Sequence, residues 1–162
     1  MRIELAGRRL RRLGGALAMA GLAACGSTTQ PSGPSNGTMT AQIDGAGWAA
    51  NTIVATYPSG ILAIAGTDTQ GRTIGFAVGP TTTPGTYPVA LTSGVNASLA
   101  IIVGSTAQSW QAVQNSGSGS VTLTAISANR ATGIFQFTVV PVAGTGAAGT
   151  RSITQGAFDV TY

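Results

Sequence analysis

The chain has 162 residues, 43% hydrophobic and 7% charged, with 24 glycines, one cysteine, no histidine and a formal charge of +4, a length that suits one folded domain rather than two. Five of the eight arginines, Arg2, Arg8, Arg9, Arg11 and Arg12, lie in the first dozen residues. Beyond Cys25, Arg72, Arg130 and Arg151 balance Asp44, Asp68 and Asp159, so no basic patch remains for nucleic acid.

Residues 1–24 combine an arginine-rich start, an apolar run over 13–24 and small residues before Cys25, the three parts of a secretory signal peptide. The apolar run is shorter than the roughly 20 residues needed to span a bilayer as a helix. Leu22-Ala23-Ala24-Cys25 resembles the bacterial lipobox. That resemblance implies a diacylglycerol thioether on Cys25, cleavage before it, and acylation of the new amino terminus by a chain such as palmitate. A lone thiol in an exported domain has no internal disulfide partner, and several acyl chains give stable anchoring. The arginine pairs at 8–9 and 11–12 leave open export by the Sec or the twin-arginine route.

Residues 25–38 follow as lipidated cysteine and linker. The stretch 26–38 carries neither charge nor large apolar residue and reads as a flexible tether with an r.m.s. span on the order of 20 Å. From Met39 to Tyr162 the hydrophobic period is two, the signature of half-buried strands. Ile74, Phe76 and Val78 alternate with Thr73, Gly75 and Ala77; Phe135, Phe137 and Val139 with Gln136 and Thr138; Phe158, Val160 and Tyr162 with Asp159 and Thr161. About nine strands are predicted, over 39–43, 48–56, 61–67, 73–78, 86–91, 98–103, 119–128, 133–142 and 151–162. Their spacing argues for an all-β domain over 39–162, an antiparallel β-sandwich or barrel. Residues 105–114 fit a helical turn or a short strand equally.

Ala41-Gln42-Ile43-Asp44-Gly45 with Trp48, then Gly85-Thr86-Tyr87, the run from Gly119 to Thr124, Gly133-Ile134-Phe135-Gln136-Phe137 and Thr154-Gln155-Gly156-Ala157-Phe158-Asp159-Val160 resemble a family of small bacterial envelope lipoproteins. The resemblance implies a β-sandwich domain of unknown function and brings no activity with it.

Without histidine, lysine or a second cysteine, the chain has no Ser-His, Cys-His or Ser-Lys pair and no ordinary zinc site. No catalytic residue, cofactor or metal ligand is therefore assigned. Glycoside hydrolysis needs two carboxylates, which would have to come from Asp44, Asp68 and Asp159; two turn aspartates with carbonyl oxygens could also hold calcium. Aspartates that open turns more often cap backbone donors. Among the aromatic residues, Trp48 and Tyr87 are expected in the core. Trp110, set among Gln108, Ser109, Gln111 and Gln114, is expected to be the more exposed indole and with Tyr57 is the candidate ligand platform; the alternative for Trp110 is packing under a long loop. The reading is a non-enzymatic, membrane-tethered binding or structural domain of the cell envelope, held by the lipid on Cys25. Its partner would be an envelope protein or glycan, and the outer membrane is favoured. The alternative is a hydrolase of extracellular or envelope polymers working through paired aspartates.

Overall fold

A computed structural model describes residues 37–81 and 83–162; the expected signal peptide, Cys25 and most of the expected tether lie outside the described residues. Eleven strands follow in chain order: β1 (Gly37–Ile43), β2 (Ala46–Ala49), β3 (Thr52–Thr56), β4 (Leu62–Thr67), β5 (Thr73–Val78), β6 (Gly85–Pro88), β7 (Asn96–Val103), β8 (Thr106–Ala112), β9 (Ser118–Ile126), β10 (Arg130–Pro141) and β11 (Arg151–Thr161). All pairings are antiparallel. One sheet, A, runs β2-β1-β11-β10-β9-β6 and the other, B, runs β8-β7-β5-β4-β3. The end of β10 bridges them, pairing Val140 with Gln111 and Pro141 with Trp110. The arrangement is all-β and not closed, as a β-sandwich requires.

Two strands exceed the nine expected. The segment 48–56 divides, because Ala50 donates its N–H to Met39 O in sheet A and Asn51 donates to Thr67 O in sheet B, so the chain changes sheets there. The ambiguous segment 105–114 resolves into β8, with Ser109 and Gln111 half-buried and Trp110 and Ala112 buried. At the start, Gly37 and Thr38 already pair with Val160 and Asp159, so β1 begins two residues before the expected domain boundary.

Local chemistry accounts for the first hairpin. Asp44 and Gly45, at φ 51° and 82°, join Ile43 to its partner Ala46. A two-residue turn with both φ positive matches the strand twist and favours Asp-Gly.

The core lies between the sheets. All four phenylalanines meet there: the Phe76 ring from sheet B sits 5.1, 5.9 and 5.4 Å from the rings of Phe135, Phe137 and Phe158 in sheet A. The close approach depends on two glycines. Phe135 pairs across strands with Gly156 and Phe158 with Gly133, and each ring lies over the glycine it faces. A Cβ at 156 would stand 2.5 Å from a Phe135 ring carbon, and one at 133 would stand 2.8 Å from Phe158 Cζ. Glycine within a strand is otherwise weakening, and here it makes room for a ring.

Candidate functional site

Each aspartate meets an arginine. Arg151 Nη1 lies 2.7 Å from Asp44 Oδ2, Arg72 Nε lies 2.6 Å from Asp68 Oδ2, and Arg130 Nη2 lies 2.5 Å from Asp159 Oδ2. Backbone donors add to two of them: Ser152 N–H to Asp44 Oδ1 at 2.8 Å, and the Gln70 and Arg72 N–H groups to Asp68 Oδ1 at 2.9 and 2.8 Å.

All three carboxyls are held below the ordinary carboxylate value. For Asp44 and Asp68, burial pushes upward and is outweighed by the N–H donors and the arginine. For Asp159, the hydrogen bond from Arg130 leads, against a smaller opposing effect of burial. A general acid needs the opposite shift.

Geometry also separates two of these groups. Asp44 is bonded at Ser152, near the start of β11, whereas Asp159 lies near its end. At the ordinary strand rise they stand roughly 20 Å apart, beyond the about 5 to 10 Å that glycoside hydrolysis uses. Among the described residues no group of three metal-ligating side chains comes together.

The expected platform at Trp110 is not there. Trp110 is 1% exposed, because the glycine-rich segment 142–150 folds over it. Thr145 Oγ1 donates to Val142 O at 2.8 Å, Val142 N–H donates to Ser109 O at 2.9 Å, and the indole Nε1 donates to Gly149 O at 2.8 Å. The Arg151 guanidinium covers the ring at 5.0 Å from its centroid, the geometry of a cation–π contact. Polar neighbours on β8 reflect only its outward face. Trp48 is buried as expected, at 3% exposure, with its Nε1 donating to Arg72 O at 3.1 Å.

Tyr57 is half-buried. Its ring tilts against that of Tyr162 at 5.2 Å, and its hydroxyl donates to Thr81 O. Tyr87, half-buried rather than fully in the core, donates its hydroxyl to Thr83 O at 2.7 Å and accepts from Thr81 Oγ1 at 2.6 Å.

A groove that the sequence reading missed crosses the outer face of sheet A. It begins at a bulge in β11, where the register slips by one residue against both β10 and β1 and Gln155 takes φ 51°. An extra residue bends its strand and re-aims side chains. Beside it lies a hollow of about 300 Å³ lined by Ser120, Thr122, Ile134, Gln136, Gln155 and Ala157. A second, of about 250 Å³, shares Gln136 and adds Thr138, Ser152 and Thr154. A third, of about 440 Å³, shares Gln155 and adds Thr40, Gln42 and Ala49. The lining side chains are hydroxyls, amides and small apolar groups, with Ile134, 54% exposed, as the large apolar contact. Such a surface offers neutral hydrogen-bond donors and acceptors with one apolar floor.

Parity would have revealed the bulge. Buried Ile153 falls on odd numbering, whereas buried Phe158 and Val160 fall on even, so one residue between them must be extra.

Fold and groove together define a β-sandwich with an open, neutral groove on one face. The chain belongs to a family known as a domain of unknown function, DUF6252, whose model matches residues 35–160. No curated protein and no solved structure matches it. The match covers all five segments that carried the sequence resemblance.

Proposed function

We propose that this chain is a lipid-anchored protein of the bacterial cell envelope whose β-domain binds a neutral, hydroxyl-rich partner, an envelope glycan, without transforming it. The observation that carries the reading is the pairing of every described carboxylate with an arginine, which holds all three ionised. With no histidine or lysine in the chain, the groove has no proton-transfer group to convert a bound polymer. Its amides and hydroxyls suit sugar hydroxyls, and Ile134 suits the apolar face of a sugar ring.

The lipid anchor rests on the lipobox at Cys25, outside the described residues, and favours the outer membrane because Gly26 and Ser27 supply no inner-membrane retention aspartate. Two experiments test the reading. Cys25→Ser, expressed in a bacterial host and fractionated, should leave the membrane pellet; retention as firm as wild type overturns the anchor. Titration of neutral envelope polysaccharide fragments, followed by nuclear magnetic resonance, should shift the Gln136 and Gln155 side-chain amides with no product formed. Release of shortened fragments would overturn the binding reading.

A further inference from the structure

The register sorts the outward side chains of sheet A into rows. Ile134 pairs with Ala157, Ala157 with Thr40 and Thr40 with Ala49, so one row, crossing β10, β11, β1 and β2, is apolar apart from a single threonine hydroxyl. Two residues away on three of these strands stands a row of amides. Gln136 lies opposite the slip between Gly156 and Ile153, Gln155 sits in that slip at φ 51°, and Gln42 pairs with its neighbour Thr154. The hollow of about 300 Å³ is lined by both rows, through Ile134 and Ala157 and through Gln136 and Gln155.

The polar groups of this face are not equally free to meet a ligand. Thr122, which also lines the hollow, shares a 2.9 Å hydrogen bond with Thr86, and Thr124 shares one of 2.9 Å with Thr132. Among the described residues the side-chain amides of Gln42, Gln136 and Gln155 have no such partner. Each amide offers an acceptor and two donors. An acetamido group is a trans amide whose N–H and C=O point to opposite sides, so it needs an acceptor on one flank, a donor on the other and an apolar contact for its methyl. Glutamines on neighbouring strands, about 5 Å apart, supply both flanks. The adjoining row of Ile134 and Ala157 takes the methyl.

We infer that the groove selects an N-acetylated amino-sugar chain, holding its acetamido groups between Gln136, Gln155 and Gln42 with their methyls against Ile134 and Ala157. This selectivity rests on the glycan-binding reading proposed above and narrows it. A free amino sugar is a poorer fit, because its ammonium would meet no unpaired carboxylate among the described residues. A peptide carries the same amide but adds to a sheet by pairing with the backbone of an edge strand. The groove lies instead on a face, where β10, β11 and β1 already pair with one another.

Two β-1,4-linked hexasaccharides test the selectivity, because cellohexaose and N-acetylchitohexaose differ only in a hydroxyl or an acetamido group at carbon 2 of each ring. The full chain is titrated with each and followed by nuclear magnetic resonance. N-acetylchitohexaose should bind about tenfold more tightly, as one or two additional neutral hydrogen bonds allow, and should shift the Gln136 and Gln155 side-chain amides. Gln136→Met keeps the length of the side chain and removes its amide, so it should close most of that gap with the melting temperature unchanged. Equal affinity for the two sugars would overturn the acetamide selectivity and leave glycan binding standing. A preference that survives both Gln136→Met and Gln155→Met would overturn the residues assigned to it. Tighter binding of a neutral N-acetylated alanine pentapeptide amide than of either sugar would overturn the sugar in favour of a peptide. Binding of neither hexasaccharide would overturn the selectivity, and the broader glycan reading then stands or falls separately, on the envelope polysaccharide fragments.

Discussion

Sheets A and B bury the same core and differ in the regularity of their strands. Sheet A turns glycines inward, setting Gly133 and Gly156 beneath the rings of Phe158 and Phe135. Sheet B turns one strand glycine inward, Gly66 beneath Trp48 and Met39, and one outward: Gly75 faces Ser98, and Ala63, Ala65, Ala77 and Ala100 share its side of the sheet. Sheet A is bent by register slips in β9 and β11, while the pairings within sheet B run without one. The irregular sheet has the groove and the regular one a flat face of small residues, so curvature here comes from bulges.

The two indoles cross between the sheets in opposite directions. Trp48 on β2 of sheet A reaches Arg72 O in the β4–β5 turn, and Trp110 on β8 of sheet B reaches Gly149 O in the β10–β11 loop. If they are equivalent struts, Trp48→Ala and Trp110→Ala should each cost about 3 to 5 kcal/mol in denaturant unfolding. Acrylamide should quench neither ring well. A cost of under about 1 kcal/mol at Trp110 would break the symmetry and restore an exposed indole.

Glycine substitutions sharpen the contrast. At Gly156 a new Cβ would sit 2.5 Å from Phe135 O as well as its ring, and at Gly133 it would sit 2.3 Å from Thr122 O. Backbone oxygens cannot step aside, so Gly156→Ala and Gly133→Ala should each cost about 2 to 3 kcal/mol. Gly75→Ala meets only Ser98 Oγ at 3.2 Å, a side-chain atom that can rotate. Its effect should fall within about 0.5 kcal/mol of zero. Equal costs at all three positions would show that strand propensity, not the ring beneath, sets the penalty.

Acid tests the ion pairs. Each aspartate is depressed in the folded chain below its ordinary value of 3.8, so its contribution is complete above that value. It is lost as the pH falls from 3.8 through the lower folded-state pKa. The melting temperature should hold near neutrality and drop below about pH 4. Asp68 is buried, whereas Asp159 is more exposed. Asp68→Asn should therefore flatten the acid limb more than Asp159→Asn, whose exposed pair is screened by salt.

Much of this was legible in the sequence. Period-two alternation gave most of the strands and the inward residues of β5, β10 and β11. Trp110 was misread because its neighbours Gln108, Ser109, Gln111 and Gln114 suggested a polar loop, although Trp110 and Ala112 already shared one parity against Gln111. What no local pattern supplied was the cover over Trp110: the segment 142–150 is composed like a solvent loop and becomes a lid only because β8 and the end of β10 pair. Asp44 and Asp68 were read as turn caps and Asp159 as a strand residue; Asp68 does cap Gln70 and Arg72 N–H, whereas Asp44 accepts from Ser152 N–H across the sheet, and the arginine partners of Asp44 and Asp159, at separations of 107 and 29 residues, depend on tertiary pairing. The groove escaped for a related reason, since Gln155 looks like an ordinary outward residue until the parity of Ile153 is set against that of Phe158.

Gln155 also yields a small expected effect of opposite sign. A non-glycine residue at φ 51° carries a penalty of about 1 kcal/mol, which glycine does not incur. Glycine in turn loses more backbone freedom on folding, offsetting part of the gain. Gln155→Gly should therefore raise stability by only about 0.5 kcal/mol, read as a small upward shift of the urea midpoint with unchanged slope. The same substitution removes an amide shared by two of the hollows, so affinity for a neutral oligosaccharide should fall while the fold gains. If the groove is the binding surface, stability and binding move in opposite directions at this one residue. Gain or loss of both together would show the bulge to be a structural bend alone.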